Sequence, residues 1–311
     1  MGWLSGWSYR RPITIDNTQN PDDLQDYQIL VIVDTASLIS EGKLRSDAGD
    51  LRFTDEDGVT LLNYWVEGPV NDPNTRVWVK VPLIPGSGTK TIYMYYGNPD
   101  ATSESDPDSV MELYDHFDSW DTSKWNGNYN DLSNSIIKHY GTCSYSVKSF
   151  GPGHRLRMKA YFDMRKSGGE QSGGGFQGDD HIGAWDGAPA NAVLYLSWGS
   201  GDLLRSRKDG NEQTLSASYR NAWKIFEIRW VSGKVEGLIE DSSIGTITDP
   251  AYIPTVSLLV QLHARGSPNQ DSFQCDWIYV TKYTDPEPSV SVGSEQTPPK
   301  PTVLTLQVIP L

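Results

Sequence analysis

The chain has 311 residues, which is enough for two domains of ordinary size, each with its own core. Hydrophobic residues make up 37% and charged residues 21%, a balance that excludes a wholly disordered chain. The formal net charge of −14 makes nucleic acid an unexpected partner, because an acidic protein repels phosphate backbones. The 11 Trp and 16 Tyr, against 7 Phe, suit half-buried sheets or sugar-facing surfaces, since both side chains combine an apolar body with a polar tip.

The first residues, MGWLSGWSYRRPITI, lack the basic start and long apolar run of a signal peptide. No stretch approaches the 18 or so consecutive apolar residues of a transmembrane helix, so we expect no membrane span. We expect either a mature chain with an added initiator Met or a protein that leaves the cell without a conventional signal, as a virion component does.

Short alternating runs at residues 12–15, 27–33, 76–81 and 91–96 predict strands with one buried face. Residues 29–33 are continuously apolar and predict a central core strand, whereas residues 35–41 predict one short helix. The spacing of roughly ten residues, with turn residues between the runs, is typical of a β-sandwich.

A polar segment at residues 97–110, GNPDATSESDPDSV, predicts a linker between two domains. Strand-like runs follow it at residues 154–162, 192–198, 222–231, 234–239, 256–262 and 272–283. The glycine-rich segment 166–178 is interpreted as a flexible surface loop, because it lacks the Lys-Ser/Thr and the following helix of a phosphate-binding loop.

The chain after residue 284 is rich in proline and contains two short alternating runs, residues 289–293 and 302–309. A stiff proline spacer at residues 298–301 separates them. The last run has no strand after it in sequence, and an exposed strand readily pairs with an open sheet edge. We expect it to pair within the chain or along a neighbouring copy; the alternatives are the start of a further domain or a disordered tail.

Five separated blocks of the first domain occur in one order: residues 6–15 (GWSYRRPITI), 50–58 (DLRFTDEDG), 61–65 (LLNYW), 77–82 (VWVKVP) and 92–99 (IYMYYGNP). Residues 1–115 thereby resemble the prokaryotic surface-protein family known as domain of unknown function 2341. That family has no established activity, so the resemblance implies a fold and a location at the cell surface, not a reaction.

Two blocks of the second half, residues 117–125 (FDSWDTSKW) and 275–283 (CDWIYVTKY), resemble the first and last strands of concanavalin-like and laminin-G-like sandwiches. The sequence therefore predicts an all-β protein with two jelly-roll-like β-sandwich domains, residues 1–110 and 111–285. Residues 286–311 are predicted to form a proline-rich spacer and a terminal strand.

Glycoside hydrolases share the concanavalin-like architecture, so we looked for their paired carboxylates. Retaining enzymes hold two carboxyl groups about 5–5.5 Å apart, which a sandwich strand supplies as E-x-D-x-x-E. The nearest approach to this pattern is Glu236 with Glu240, which lacks the central acid. We therefore predict no catalytic residues and interpret these two carboxylates as part of a solvated face.

A carboxylate-rich segment beside the last strand could bind calcium through oxygen ligands, with Asp115, Asp118 and Asp276 as the candidates. The alternative is that alternate residues of this segment simply point to water. Calcium is the one cofactor that the sequence suggests.

A sugar site would combine aromatic faces with polar side chains that bind hydroxyl groups. The candidates are Trp185, Trp198, Tyr195, Asp180, Asp186 and Asn191. Ordinary packing in a sandwich core would explain the same aromatic residues.

The two cysteines, Cys143 and Cys275, form no zinc-binding pattern. Both lie in strand-like segments of the second domain, and we predict a disulfide between them, as in other proteins of oxidising compartments. Two unrelated buried thiols are the alternative.

Together these features predict a non-enzymatic extracellular protein of a cell surface, filament or virion surface. Its expected role is adhesion or subunit assembly, with cell-surface glycans or other protein subunits as partners and homo-oligomers formed through the C-terminal strand. The alternative function is a polysaccharide-active enzyme, similar to glycoside hydrolases, or the carbohydrate-binding module of one.

Overall fold

The computed structural model describes residues 2–164, 171–178, 190–198, 201–265 and 271–299. It is built almost entirely of antiparallel strands, which confirms the predicted all-β fold. Two compact units are present: the first comprises residues 1–110 together with the chain from Pro286 onward, and the second comprises Met111–Asp285.

The described residues of the first unit form a five-stranded sheet, ordered β23-β1-β7-β3-β4, and a three-stranded sheet, ordered β2-β6-β5. The strands are β1 (Tyr9–Asp16), β2 (Leu24–Val33), β3 (Arg52–Thr54), β4 (Leu61–Leu62), β5 (Tyr64–Gly68), β6 (Thr75–Ile84), β7 (Thr89–Tyr96) and β23 (Ser289–Val292). The helices are α1 (Thr35–Ser40) and α2 (Pro107–Val110).

The core of the first unit lies between its two sheets, as the alternating pattern predicts. Ile13 and Ile15 of β1 and Val31 of β2 are buried within it. The short helix α1 begins where predicted because Asp34 accepts a hydrogen bond from the backbone N–H of Ser37 (2.9 Å). Such an N-cap satisfies one of the amide groups that the first helical turn leaves unpaired.

Arg10 joins the blocks that carry the family resemblance. Its guanidinium group lies 4.1 Å from the ring centroid of Tyr93 and 4.6 Å from that of Trp3. Its Nε donates to Gln296 Oε1, and its Nη1 donates to Tyr95 Oη, each at 2.8 Å. An almost enclosed cation with a partner on each side fastens separate segments together.

The carboxylate of Asp50 also links segments that are distant in sequence. Its Oδ1 accepts from the backbone N–H of Arg45 (3.0 Å), and its Oδ2 accepts from those of Gly97 (3.0 Å) and Asn98 (3.2 Å). Blocks 50–58 and 92–99, distant in sequence, thus meet at one buried carboxylate. The residues of the resemblance therefore have structural roles here.

The chain after the second unit returns to the first. Residues 289–292 form β23, which pairs antiparallel with β1 from Val292 opposite Ile13 to Ser289 opposite Asp16. A further bridge joins Gln296 to Arg10. This segment therefore belongs to the first unit instead of standing apart as a separate spacer, while residues 302–311 lie outside the described residues.

The second unit contains β8 (Leu113–Asp115), β9 (Trp125–Gly127), β10 (Asp131–Ser133), β11 (Ile136–His139), β12 (Thr142–Phe150), β13 (His154–Met164), β14 (Gln171–Gln177), β15 (Ala192–Trp198), β16 (Gly201–Lys208), β17 (Asn211–Ala217), β18 (Trp223–Val231), β19 (Lys234–Ile239), β20 (Ser242–Ile247), β21 (Leu258–Ala264) and β22 (Asp271–Lys282). In the described residues they form an eight-stranded sheet, β10-β11-β22-β13-β18-β19-β20 with β8 beside β22, and a seven-stranded sheet, β17-β16-β15-β14-β21-β12-β9.

An aromatic core separates the two sheets of the second unit. Phe162 and Phe226 of the eight-stranded sheet pack edge to face, with ring centroids 5.1 Å apart. Tyr195 comes from the seven-stranded sheet, and its ring lies 4.9 Å from that of Phe226. Aromatic pairs prefer such tilted arrangements, and their large area supplies most of the apolar burial here.

The interpretation of residues 166–178 as a surface loop was wrong for residues 171–177. These residues form β14, which lies between β15 and β21 near the middle of the seven-stranded sheet. Glycine is required there because a Cβ at Gly173 would lie 2.6 Å from His263 Cε1, and one at Gly175 would lie 2.6 Å from Leu194 Cα. The glycine run is therefore a packing requirement, not a sign of flexibility.

The predicted disulfide does not form. Cys143 lies on β12 of the seven-stranded sheet, half-buried and opposite His263, whereas Cys275 lies on β22 of the other sheet. The side chain of Cys275 belongs to the core, and its Sγ donates to Trp277 O (3.3 Å). Cys143 follows the alternation of β12 and faces away from that core, since its neighbour Ser144 is the buried residue. Burial raises the pKa of the Cys275 thiol.

No helix in the described part of the chain is long and apolar enough to cross a membrane.

Candidate functional site

The residues predicted for a sugar site do not converge where the structure describes them. Tyr195 is fully buried in the core, and its hydroxyl donates to Leu238 O (2.8 Å). Asn191 precedes β15, and Trp198 ends it, so the length of a seven-residue strand, roughly 20 Å, separates them. Trp185, Asp180 and Asp186 lie outside the described residues.

The three carboxylates predicted to bind calcium have other partners. Asp115 accepts from the Phe117 backbone N–H and from Trp125 Nε1, both at 2.7 Å. Asp118 accepts from Ser135 Oγ, and Asp276 accepts from Lys159 Nζ (2.6 Å). Within the described residues no group of three or more His, Cys, Asp or Glu side chains could hold a metal ion.

Asp115 instead fixes the first segment of the second unit. Burial raises the pKa of this carboxyl group in spite of its two N–H donors. Phe117, whose amide it accepts from, adopts a left-handed φ of 55° and is buried in the core. The side chain of Asp115 is thus a turn acceptor that positions an aromatic anchor.

The two glutamates considered for catalysis also have different partners. Glu236 on β19 faces Arg229 of β18, with Oε2 at 3.4 Å from Nη1. Glu240 lies beyond the end of β19, in a turn where its φ is 50°, and accepts from the backbone N–H of Ile225 (2.8 Å). The two carboxylates serve an ion pair and a turn.

The outward face of the eight-stranded sheet carries a group of aromatic side chains that the sequence analysis missed. Tyr161 of β13 lies directly opposite Trp223 of β18, and their ring centroids are 5.8 Å apart. Two residues earlier on β13 and on the same face, Lys159 lies opposite Trp277 of β22. We call Tyr161, Trp223, Trp277, Lys159 and Asp276 the aromatic patch.

The aromatic patch is accessible at its rim and fixed at its base. Trp223 is 37% exposed, whereas Tyr161 and Trp277 are half-buried. The Trp277 ring stacks on that of buried Tyr279, with centroids 5.6 Å apart and planes within 10°. Fixed rings with one open face can bind a flat apolar surface at low entropic cost.

A polar pair lies among these rings. Lys159 Nζ is 2.6 Å from Asp276 Oδ2 and 5.8 Å from the ring centroid of Trp223. Both ends of the pair reach solvent, so together they offer ammonium donors and carboxylate acceptors beside an aromatic face. The arrangement can bind hydroxyl groups while the rings contact C–H surfaces.

An ionic network continues from the patch along the same sheet face. Glu227 of β18 accepts from Arg157 Nη1 (2.8 Å) and Arg229 Nε (2.6 Å), and Arg155 lies 3.8 Å from it. Burial opposes ionisation of Glu227, but Arg155, Arg229 and Arg157 lower its pKa. An ionised carboxylate surrounded by guanidinium groups is a structural anchor and a poor proton donor.

Sequence reasoning missed the aromatic patch because its members come from three strands whose pairing is long-range. The available signal was alternation: Tyr161 and Lys159 occupy the positions of β13 that alternate with the core residues Ala160 and Phe162. The sequence alone does not give the strand order that places β18 and β22 on either side of β13.

Comparison with known proteins gives a family model that matches part of the chain. Residues 47–128 match the model of a domain of unknown function, DUF2341, which confirms the resemblance drawn from the sequence blocks. The matched segment begins in the first unit and extends past Val110 into the second. No curated protein matches the sequence of this chain.

Similar solved structures are sandwich proteins. A β-1,3-1,4-glucanase (lichenase) derived from a mouse hindgut metagenome has a TM-score of 0.42 at 10% identity over 55% of this chain and 98% of that one. The carbohydrate recognition domain of Emp47p gives 0.43 at 11%, over 55% and 94%. An immunostimulatory antigen and pseudo β-1,3-glucanase of Mycobacterium tuberculosis gives 0.43 at 12%, over 56% and 99%.

Proposed function

We propose that this protein is a non-enzymatic surface protein whose second unit binds carbohydrate through the aromatic patch. The observation that carries this proposal is the exposed ring of Trp223, held beside Tyr161 and the Lys159–Asp276 pair on the outward face of a sheet. Sugar rings present an apolar C–H face edged by hydroxyl groups, and this surface offers an aromatic face edged by charged groups.

The patch suits a sugar better than an apolar protein segment. Its rings alternate with an ion pair, so no continuous apolar area large enough for stable protein docking is present in the patch. The nearby carboxylate Glu227 is enclosed by arginines, which leaves it without the raised pKa that a glycosidase acid requires. Both features favour binding without hydrolysis.

The test uses the full chain against a panel of soluble neutral polysaccharides in affinity gel electrophoresis. Trp223→Ala should weaken retardation by roughly tenfold, which corresponds to about 1.4 kcal/mol of lost contact free energy. Tyr129→Ala is the matched control, because Tyr129 is equally exposed at 37% in the same unit but its ring packs against Trp120, tilted by 36°. Equal retardation of wild type and Trp223→Ala, or equal loss in both variants, would contradict the proposal.

The same samples separate binding from catalysis. Release of reducing ends from any polysaccharide of the panel would favour the alternative function, a polysaccharide-active enzyme. A pure binding module leaves the polymer length unchanged.

The proposed location, outside the cell on a cell, filament or virion surface, is supported by the resemblance of the first domain to prokaryotic surface proteins. Its test is cleavage of the protein on intact cells or particles by an added protease that cannot enter them.

Subunit assembly through residues 302–309 is part of the same proposal. Deleting residues 298–311 should then lower the particle mass measured by light scattering.

A further inference from the structure

The two sheets of the first unit leave a cleft between two of their outermost strands. In the described residues β23 is an outermost strand of the five-stranded sheet, and β2 is one of the three-stranded sheet. At one end the strands are joined, since Tyr27 of β2 donates to Glu287, just before β23 (3.4 Å). At the other end, between Ile32 and Val292, a cavity of about 270 Å³ opens to solvent. We call this cavity the edge cleft, and its lining includes Arg11, Ile32, Val33, Asp34, Leu38 and Val292.

The apolar part of the edge cleft is an open end of the core. Val292 lies opposite Ile13, whose side chain is buried in the core, so both side chains point to the same face of the sheet. Val292 is nevertheless 37% exposed, and Ile32 is 45% exposed. Buried Leu38 and Met94 line the same cavity. Exposed apolar side chains that continue a core mark a surface that a partner covers.

The charged groups of the edge cleft already have partners. Arg11 Nε donates to Tyr96 Oη (3.0 Å), and Asp34 caps helix α1. Glu41 forms an ion pair with Lys43, with Oε2 3.0 Å from Nζ. The chemistry of the cleft therefore suits an uncharged, apolar occupant better than an ionic one.

The strand β23 also offers backbone groups beside the edge cleft. The N–H of Gly293 donates to Pro12 O (2.8 Å), so residue 293 directs its backbone groups toward β1. Val292, one position away, directs its N–H and C=O to the opposite side. On that side the described part of the chain places no strand bonded to β23. An added strand there would gain ladder hydrogen bonds, and its alternate side chains would enter the cleft.

Residues 302–309 (TVLTLQVI) have the chemistry that the edge cleft requires. They carry no charge, and Leu304, Leu306 and Val308 alternate, so in an extended segment they point to one side. A dry cavity of about 150 Å³ holds a benzene molecule. The edge cleft therefore has room for one or two of these side chains.

The path of the chain favours the cleft of a neighbouring copy over the cleft of the same chain. Glu295 is held by Lys43 (2.8 Å), and Gln296 bridges Arg10, so the chain after β23 runs on past the cleft. Residues 298–301 (PPKP) then contain three prolines, which favour extension and oppose a tight reversal.

We infer that the edge cleft is the acceptor site for residues 302–309 of a second copy of this chain. The inference rests on the proposed subunit assembly and names the surface that the C-terminal segment meets. Because donor and acceptor are different surfaces of each copy, the contact is head-to-tail and adds copies one after another, as in a filament.

The experiment measures particle mass by light scattering over a range of concentrations for the full chain and three variants. Wild type should gain mass as its concentration rises, whereas the deletion of residues 298–311 and Ile32→Glu should keep the mass of one chain. Ile32→Glu places a carboxylate where the occupant would remove it from water. Leu83→Glu is the matched control and should assemble like wild type, because Leu83 is 46% exposed in the same unit but lies outside the cleft.

Mixing the two defective variants tests the direction of the contact. The deletion variant keeps only the cleft, and Ile32→Glu keeps only the donor segment, so together they should form a complex of one copy of each. A deletion that lowers the melting temperature and leaves the mass of wild type unchanged would show that each chain fills its own cleft, which would overturn the inference.

The remaining outcomes separate this site from the proposed assembly. Loss of assembly in the deletion variant but not in Ile32→Glu would overturn the edge cleft as the acceptor and leave the assembly proposal standing. Full assembly in both variants would overturn both. An added peptide of residues 302–309 should lower the particle mass of wild type, and this measurement decides the case if Ile32→Glu does not fold. Unchanged mass in the presence of excess peptide would contradict the inference.

Discussion

Arg10 in the first unit and Arg205 in the second are almost equally enclosed, at 7% and 6% exposure, yet their surroundings differ. Arg10 lies against the rings of Trp3 and Tyr93 and donates to oxygen atoms at 2.8 Å. Arg205 has a buried Nε without a hydrogen bond, and among the described residues its anionic neighbour is Glu212.

Burial alone therefore does not show whether a cation is fully paired. A guanidinium group whose N–H groups and faces all have partners holds segments together, and a ligand would have to displace those partners. One with a buried N–H that lacks an acceptor instead carries an uncompensated desolvation cost. The Glu227 network combines the two situations: its carboxylate has cations on several sides, yet Arg157 Nε is buried without a hydrogen bond.

Removing the shared carboxylate of the Glu227 network should have the largest effect on stability. Glu227→Gln leaves Arg155, Arg157 and Arg229 without their shared anion and should lower the free energy of unfolding by about 3–5 kcal/mol. Urea denaturation measures this loss. A change below about 1 kcal/mol would show that the network is not the anchor that its geometry indicates.

The same substitution has a predictable pH dependence. The folded-state pKa of Glu227 is lowered, so its contribution to stability is present above the unfolded pKa of about 4.3 and is lost as the pH falls through the folded value. The stability difference between wild type and Glu227→Gln should therefore be constant near neutral pH and shrink below about pH 4.

Replacing the two arginines of the comparison should give opposite results. Arg10→Gln removes a stacked, multiply bonded cation and should cost about 3 kcal/mol. Arg205→Met replaces an incompletely paired buried charge with an apolar chain of similar length and should change stability by less than about 1 kcal/mol, or increase it. Comparable losses in the two variants, measured by thermal and urea unfolding, would show that the two arginines contribute equally to stability.

A smaller effect is expected from the glycine-rich strand β14. Gly173→Ala places a methyl group against the His263 ring and Leu196 and should cost about 1–3 kcal/mol through overpacking. Gly201→Ala is the control, because a Cβ there would meet nothing within 4 Å. If both variants are equally stable, His263 does not rest on β14 as described.

The last effect is spread over a range of pH and concerns the titration of His263. With a folded pKa of about 4, this residue favours folding above the unfolded pKa of about 6.5, and that contribution is lost as the pH falls toward 4. The slope is at most about 1.4 kcal/mol per pH unit. His263→Phe should flatten stability between pH 6.5 and pH 4, leaving the part due to buried His139, whose pKa burial lowers to about 3. A slope unchanged by the substitution would show that folding does not lower the pKa of His263.

The sequence allowed prediction of strands whose own residues alternate, such as β2 and β19, because one buried face leaves a local pattern. It failed for β14, since glycines carry no hydrophobic signal and their burial depends on Leu194 and His263 from neighbouring strands. The aromatic patch was missed for a related reason. Trp223 and Tyr161 are unremarkable locally, and only long-range register places them beside their neighbours.

The return of the chain to pair with β1 has a mechanical consequence. β1 and β23 are antiparallel, so the chain before Arg10 and the chain after Gln296 leave the ladder at the same end. A pulling force applied at those two points would break the hydrogen-bonded pairs of the ladder one after another, instead of loading all of them at once. Residues 111–285 lie between β1 and β23 in sequence, so they carry no force until those pairs have separated. The ladder therefore protects the second unit from mechanical unfolding.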